Sequence, residues 1–215
     1  MRFPLSLEYM KLKVCGMKYN DNIQTVANLQ PDYLGFIFYD KSARHFDTTI
    51  PELPKTIKKV GVFVDEKLEI VQDTIKKFDL QAVQLHGHEL PEYCAAINTA
   101  QVIKVFSIKD EFNFDVLQHF EDVCDYFLFD TKGKLPGGNG YTFNWNVLEQ
   151  YPSTKPYFLS GGIGLHEIEK INSFKESLAS KYCYAIDVNS KFEIEPGLKN
   201  IEELEKFITH LSFCT

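Results

Sequence analysis

The sequence predicts an α/β fold, a single (βα)8 or TIM barrel, and three observations lead to this prediction. Short apolar runs recur along the chain at intervals of roughly 20–30 residues. The segments between them alternate polar and apolar residues at helical spacing. The first run ends at Cys15-Gly16-Met17-Lys18, which lacks the glycine pattern that a doubly wound open sheet normally carries there. The open sheet is therefore the weaker alternative.

The apolar runs are typical of parallel strands that are covered on both faces, because they are nearly continuous rather than alternating. The predicted strands cover residues 12–15, 33–38, 60–64, 82–85, 102–106, 126–129, 157–159 and 184–188. Repeated strand–helix units of this kind close a barrel, although a chain of 215 residues is near the small end for that fold.

Helices are predicted between the strands from their apolar stripes. Residues 66–78 place Leu68, Val71, Ile75 and Phe78 on one face, and residues 201–213 repeat the pattern. Pro91 opens a further short helix, since proline is tolerated in a first turn. A helix is also predicted for residues 47–57, on the weakest pattern because that segment contains two prolines. A further helix is predicted to begin at Thr142 or Asn144.

The composition indicates one globular domain and excludes several partners. The net charge of −7 and the pI of about 5.4 argue against nucleic acid and anionic membranes. The five scattered cysteines form no CxxC pair, which favours reduced thiols in a cytoplasmic protein over disulfides or a metal site. We expect residues 11–215 to form the barrel. Residues 1–10 are too short and broken for a secretory signal, and we expect an extension that can be disordered.

Reactive and polar side chains collect at the predicted strand ends, which converge on one face of a barrel. These candidate site residues are Cys15, Arg44, His86, Asp130, Gly161, Gly162, Asp187, Asn189 and Ser190. A thiol, a carboxylate, an arginine and two turns after the last two strands are what acid–base chemistry on an anionic sugar phosphate requires. Cys15 beside Gly16 is expected to be reachable, as a thiolate base must be.

Each of these residues also has a structural interpretation. Cys15 could be a small buried apolar residue, and Arg44 a surface cation. His86 could be a loop histidine that makes a structural hydrogen bond. Asp130 precedes a loop with Gly137, Gly138 and Gly140, which could serve a mobile active-site loop or a turn that needs positive φ.

A set of motifs follows the predicted strands in order. They are Lys13-Val14-Cys15-Gly16; Gly35-Phe36-Ile37-Phe38 with Ser42-Ala43-Arg44; Val60-Gly61-Val62-Phe63-Val64; Gln84-Leu85-His86-Gly87; Asp130-Thr131 with Gly137-Gly138-Asn139-Gly140 and Phe143-Asn144-Trp145; Ser160-Gly161-Gly162-Ile163; and Asp187-Val188-Asn189-Ser190 with Glu193 and Pro196-Gly197-Leu198-Lys199. The ordered set resembles the phosphoribosylanthranilate isomerase family of tryptophan biosynthesis.

The resemblance implies an aldose–ketose isomerase of aromatic amino acid biosynthesis that catalyses an Amadori rearrangement. Asp130 would be the general acid and Cys15 the general base, while Arg44 would bind the anthranilate carboxylate. Backbone amides in the turns after the last two strands, around Gly161, Gly162, Asn189 and Ser190, would bind the phosphate. His86 and Asp187 would complete the substrate site. It implies no metal and no organic cofactor, a phosphorylated small molecule as partner, and a monomer or homodimer.

Two alternatives stay open at this point: another barrel enzyme acting on pentose or triose phosphates, and a non-catalytic phosphate sensor. Two positions also depart from the family pattern. Asn139 replaces the usual Thr or Ser of the glycine loop, and Lys191 replaces a usual Gly. If position 191 needs a positive φ, lysine is strained there; a cation beside the phosphate could equally strengthen binding.

Overall fold

The computed structural model describes residues 10–109, 111–131 and 142–212. Residues 1–9 of the predicted extension and the loop residues Gly137, Gly138, Asn139 and Gly140 lie outside the described residues. Within those residues the chain forms a closed, all-parallel barrel in which each strand pairs with its neighbour in sequence and β8 closes onto β1. The predicted (βα)8 barrel is confirmed.

The eight barrel strands coincide closely with the predicted apolar runs. They are β1 Lys11–Val14, β2 Tyr33–Ile37, β3 Lys58–Phe63, β4 Ala82–Leu85, β5 Gln101–Ile108, β6 Tyr126–Thr131, β7 Tyr157–Leu159 and β8 Cys183–Val188. Because all eight are parallel, their carboxyl ends lie on one face, which brings together side chains from the whole length of the chain.

Helices surround the barrel, several of them short. The α-helices are α1 Asn20–Asn28, α2 Leu68–Phe78, α3 Pro91–Ala95, α4 Ile168–Lys175 and α5 Ile201–Ser212. Further 3-10 segments are Phe114–Phe120, Trp145–Gln150, Leu165–Glu167, Leu178–Tyr182 and Ser190–Phe192. No helix in the described part of the chain has the length and apolar character needed to span a membrane.

The helix predicted for residues 47–57 is wrong, because that segment contains no helix in the structure. Pro51 and Pro54 cannot donate a backbone hydrogen bond, and each disfavours helical geometry in the residue before it. The helix predicted from Thr142 or Asn144 is a 3-10 helix that begins at Trp145, where the side chain of Asn144 accepts a hydrogen bond from Asn146 N at 3.2 Å.

The apolar core has two parts. The larger part packs the outer side of the strands against the helices. The smaller part fills the barrel interior at the amino ends of the strands, with Tyr33, Ile103, Leu128 and Phe158 among its buried members. This interior cluster closes the floor of the barrel, so the polar residues of the interior are confined to the upper layers.

An antiparallel hairpin that the sequence did not predict lies between β8 and α5. It consists of β9 Glu193–Glu195 and β10 Leu198–Lys199. Its turn needs glycine, since Gly197 has φ +90 and a Cβ there would lie 2.7 Å from Lys18 Cβ. The hairpin places Glu193 and Lys199 beside the carboxyl ends of the neighbouring strands.

A buried ion pair fixes the loop after β4, and its removal is testable. Lys104 Nζ lies 2.7 Å from Glu89 Oε2 and donates to Gly87 O at 2.8 Å, with both charged side chains buried. We expect Lys104→Met to lower the free energy of unfolding by about 3–5 kcal/mol, because it leaves the Glu89 charge buried and unpaired. Urea unfolding measures the change.

The matched control is Asp79→Asn, which removes the exposed ion pair between Asp79 and Lys59. Asparagine tolerates the left-handed conformation of this residue, whose φ is 50. The control should unfold at nearly the wild-type urea concentration, since exposed ion pairs contribute little. Equal stability of Lys104→Met and wild type would contradict the proposed importance of the buried pair.

Candidate active site

A cavity of about 330 Å³ opens at the carboxyl ends of the barrel strands. The structure brings all nine candidate site residues that it describes to the walls of this cavity: Cys15, Arg44, His86, Asp130, Gly161, Gly162, Asp187, Asn189 and Ser190. The contacts of each residue indicate what it can do chemically.

Cys15 directly follows β1 and is held against the barrel wall. Its backbone N donates to Val188 O at 2.8 Å, and the next residue, Gly16, turns the chain away with φ +73. The residue is only 4% exposed, so the sulfur can be reached through the cavity and not from the outer surface. A Cβ on Gly35 would lie 2.7 Å from Cys15 Sγ, so the absence of a side chain on Gly35 makes room for the sulfur.

Burial raises the pKa of the Cys15 thiol above its ordinary value. The positive charges of Lys13 and Lys199 act in the opposite direction, while the negative charge of Asp187 adds to the effect of burial. The thiolate therefore depends on the two lysines for whatever stabilisation it has in the free enzyme.

Asp130, at the end of β6, faces His86, which follows β4. The distance from His86 Nε2 to Asp130 Oδ2 is 3.4 Å, and both side chains are largely buried. Asp130 is 5% exposed, so its carboxyl group meets solvent mainly through the cavity.

The hydrogen bonds behind His86 determine which of its nitrogens carries the proton. Lys13 Nζ can only donate, and it lies 2.7 Å from the Gln84 side chain, so the Gln84 carbonyl oxygen must face Lys13. The Gln84 amide nitrogen then donates to His86 Nδ1 at 3.2 Å. Because Nδ1 accepts, the imidazole proton is on Nε2, which points toward Asp130.

Lys13 also pairs with Asp187 inside the barrel, at 2.9 Å from Nζ to Oδ1. Burial lowers the pKa of Lys13, but the charges of Asp187 and Cys15 more than offset this and raise the pKa above its ordinary value. The Ser160 hydroxyl donates to Asp187 Oδ2 at 3.4 Å. Sequence reasoning missed Lys13 and Gln84 as functional residues; the available signal was a lysine and a glutamine within otherwise apolar strands.

Arg44 is paired within the protein and is not a lone surface cation. Its Nε lies 2.9 Å from both carboxylate oxygens of Glu193, and its Nη2 donates to Oε2 at 2.7 Å. Burial raises the pKa of Glu193, but Arg44 and Lys199 outweigh it and hold that pKa below its usual value. Glu193 thus orients one edge of the guanidinium, and no hydrogen bond within the described residues uses Nη1.

The turns after β7 and β8 form the opposite wall. Gly161 and Gly162 have φ +94 and +71, and a Cβ on Gly161 would lie 2.2 Å from Thr131 Oγ1, so glycine is required there. Lys191 has no positive φ and lies in the 3-10 helix Ser190–Phe192, so the strain considered for this position is absent. Its exposed side chain borders the cavity.

The closed barrel, with a thiol, a histidine-supported carboxyl group and an oriented arginine at its strand ends, defines a (βα)8-barrel enzyme. Residues 12–210 match the family model "N-(5'phosphoribosyl)anthranilate (PRA) isomerase". The chain belongs to this family of isomerases, which act in tryptophan biosynthesis.

A relative and three solved structures illustrate the similarity. The N-(5'-phosphoribosyl)anthranilate isomerase of Phocaeicola vulgatus is 40% identical over 94% of this chain and 98% of its own length. The phosphoribosyl anthranilate isomerase of Thermus thermophilus is 25% identical, with a TM-score of 0.82 over 96% of this chain and 100% of its own.

A third protein is a phosphoribosyl anthranilate isomerase in complex with reduced 1-(o-carboxyphenylamino)-1-deoxyribulose 5-phosphate. It is 26% identical to this chain, with a TM-score of 0.78 over 95% of this chain and 99% of its own. The fourth is a monomeric form of the dimeric Thermotoga maritima enzyme, 26% identical with a TM-score of 0.71 over 95% and 99%.

The space that Gly35 leaves for the Cys15 sulfur gives a prediction. We expect Gly35→Ala to lower kcat on the order of 10²-fold, because the new methyl group displaces the sulfur of Cys15, the candidate base, by a fraction of an ångström or more. Steady-state turnover of phosphoribosylanthranilate is the measurement.

Gly61→Ala is the matched control, because a Cβ there would meet Leu80 Cδ1 at 2.6 Å in the apolar core and not the cavity. It should cost stability while the folded fraction keeps its turnover. If both variants lose turnover equally, the clash with Cys15 is not the cause.

Proposed function

We propose that the cavity catalyses the Amadori rearrangement of N-(5'-phosphoribosyl)anthranilate to 1-(2-carboxyphenylamino)-1-deoxyribulose 5-phosphate by general acid–base catalysis. The observation that carries the proposal is the placement of Cys15 and the His86–Asp130 pair on the walls of one cavity. A thiol and a carboxyl group reached from the same space can act on two atoms of one small substrate.

In this mechanism Asp130 is the general acid. Its carboxyl group gives a proton to the furanose ring oxygen as the bond from that oxygen to C1 breaks, which leaves a Schiff base with the anthranilate nitrogen. His86 supports this role by its position, because its Nε2–H faces Oδ2 at 3.4 Å and leaves Oδ1 to carry the transferred proton.

Cys15 is the general base. Its thiolate removes the C2 proton of the Schiff base to give an enolamine, which tautomerises to the ketone. Lys13 and Lys199 support this role, because their charges favour the thiolate against the effect of burial. Lys13 is also hydrogen-bonded to Gln84, so a single lysine lies behind both the base and the histidine that supports the acid.

The two ends of the substrate are anionic, and the cavity offers a site for each. We expect Nη1 of Arg44 to bind the anthranilate carboxylate, since Glu193 orients the rest of the guanidinium. Amides around Gly161, Gly162, Asn189 and Ser190 would bind the phosphate, with Lys191 as an additional cation at the rim. The product analogue bound by the related isomerase likewise carries one carboxylate and one phosphate.

We further propose a cytoplasmic protein that is a monomer or homodimer. The four cysteines in the described residues, Cys15, Cys94, Cys124 and Cys183, are free thiols, as a reducing compartment would keep them. The dimeric Thermotoga maritima relative and its monomeric form share this fold, so the barrel is compatible with either state. Sedimentation of the purified protein would distinguish them.

Removal of either catalytic group tests the mechanism. We expect Asp130→Asn and Cys15→Ser each to reduce kcat by roughly 10²-fold or more, because each change removes one proton transfer. The loss of phosphoribosylanthranilate fluorescence follows the reaction. Circular dichroism should show an unchanged fold.

Cys183→Ser is the control for the thiol change, because Cys183 is half-buried and does not line the cavity. It should turn over at nearly the wild-type rate. Near-normal turnover by Cys15→Ser would remove the base from the proposal, and near-normal turnover by Asp130→Asn would remove the acid.

The raised pKa of Cys15 predicts how the thiol reacts with pH. Alkylation requires the thiolate, so the rate of Cys15 alkylation by iodoacetamide should still be rising at pH values above the free-thiol pKa of about 8.5. Subtracting the alkylation rate of Cys15→Ser from that of wild type gives the rate at Cys15 alone. The reduced product analogue should protect Cys15 from alkylation. A midpoint at or below that of a free thiol would falsify the prediction.

A further inference from the structure

Lys199, at the end of β10, lies just behind the cavity wall and does not line the cavity itself. Its side chain is fully buried, and its Nζ donates to two different side chains at 2.7 Å each: Glu193 Oε1 and Asn189 Oδ1. A third contact, to Asn189 O, is 3.4 Å long. The ammonium group therefore joins the hairpin to the end of β8.

One of these links leads to the arginine of the site. Glu193 receives Lys199 on Oε1 while it binds Arg44 through both oxygens, and its own side chain is almost completely buried. Without Lys199, Glu193 would keep only one cationic partner and the backbone N–H of Gly197. The orientation of Arg44 thus depends on a carboxylate that is itself held by two cations.

The other link leads to the phosphate side of the cavity. Asn189 has the unusual backbone angles φ −148 and ψ −99, and it lines the cavity just before Ser190. Its Oδ1 is so close to Gly16 that a Cβ on that glycine would lie 2.6 Å away. Lys199 therefore holds an asparagine that packs against the residue after Cys15.

The charges around Lys199 show that its burial is compensated only in part. Burial lowers its pKa to about 8 despite the attraction of Glu193. A buried ammonium group of this kind is costly to keep, and apolar side chains in place of the whole set of ion pairs could hold the hairpin as well or better. Its position is better explained by a requirement of the site than by stability.

We propose that Lys199 is a positioning residue of the isomerase, whose ammonium group fixes the distance between the carboxylate-binding Arg44 and the phosphate-binding turn at Asn189. The inference rests on the proposed binding roles of those two residues. A substrate with an anion at each end binds well only when both sites are held at the matching distance, so Lys199 sets affinity without touching the substrate.

The test is Lys199→Met in the full chain, with methionine chosen to fill the same volume without charge. We expect the Kd for the reduced product analogue and KM for phosphoribosylanthranilate to rise about 10-fold, as for the loss of a hydrogen bond to a charged group. Because the charge of Lys199 also favours the Cys15 thiolate, kcat should fall as well, and the Kd is the readout that isolates the positioning role. A lysine that only stabilises the hairpin would alter the unfolding midpoint and leave KM and Kd unchanged.

Lys59→Met is the matched control. Lys59 also donates to a backbone oxygen, Phe78 O at 2.7 Å, and to a carboxylate, Asp79 Oδ2 at 3.0 Å, but it lies near the amino end of β3. It should leave KM unchanged. If Lys199→Met does not fold, Glu193→Gln tests the same link, because a neutral amide cannot pair with two cations; KM should rise in the same direction.

A double-mutant cycle with Arg44→Lys completes the experiment. If Lys199 acts through Arg44, adding Lys199→Met to Arg44→Lys should raise KM by less than it does in wild type. Additive effects of the two substitutions on KM would overturn the inference. It would also be overturned if KM rises in Arg44→Lys but is unchanged in folded Lys199→Met. An unchanged KM in Arg44→Lys would instead overturn the proposed role of Arg44, and the inference with it.

Discussion

The ion pair between Lys13 and Asp187 crosses the seam where the barrel closes. The two residues are register partners on β1 and β8, and they meet 2.9 Å apart although they are 174 positions apart in sequence. Neither charge could remain buried without the other. The pair can therefore form only where the sheet closes, and the same closure places Cys15 beside the end of β8.

The upper interior of the barrel depends on this pair. Lys13 also holds Gln84, which sets the tautomer of His86 and so turns its Nε2–H toward Asp130. The lower interior is apolar and contains Tyr33 and Phe158. A hydrophobic floor beneath a connected polar layer holds the candidate site residues in place, because Lys13, Gln84 and Asp187 are hydrogen-bonded to one another or to neighbouring side chains.

Sequence reasoning found the elements whose pattern is local. Apolar runs marked all eight strands, and the residues after them marked the site, because strand length and strand ends are properties of neighbouring residues. It failed where the local pattern was weakest: residues 47–57 were predicted to be helical although they contain Pro51 and Pro54. At position 191 the sequence suggested possible backbone strain, because lysine stands where the family commonly has glycine. Lys191 has no positive φ, so this strain is absent.

The sequence by itself determined the barrel, the family and the candidate residues around the cavity. This was possible because the carboxyl ends of all strands in a closed parallel barrel lie on one face. Only the tertiary structure decided how those residues are held. Arg44 meets Glu193 across 149 residues, and the hairpin that carries Lys199 packs behind Asn189. Such contacts depend on distances between side chains that are remote along the chain, and no periodicity or motif records them.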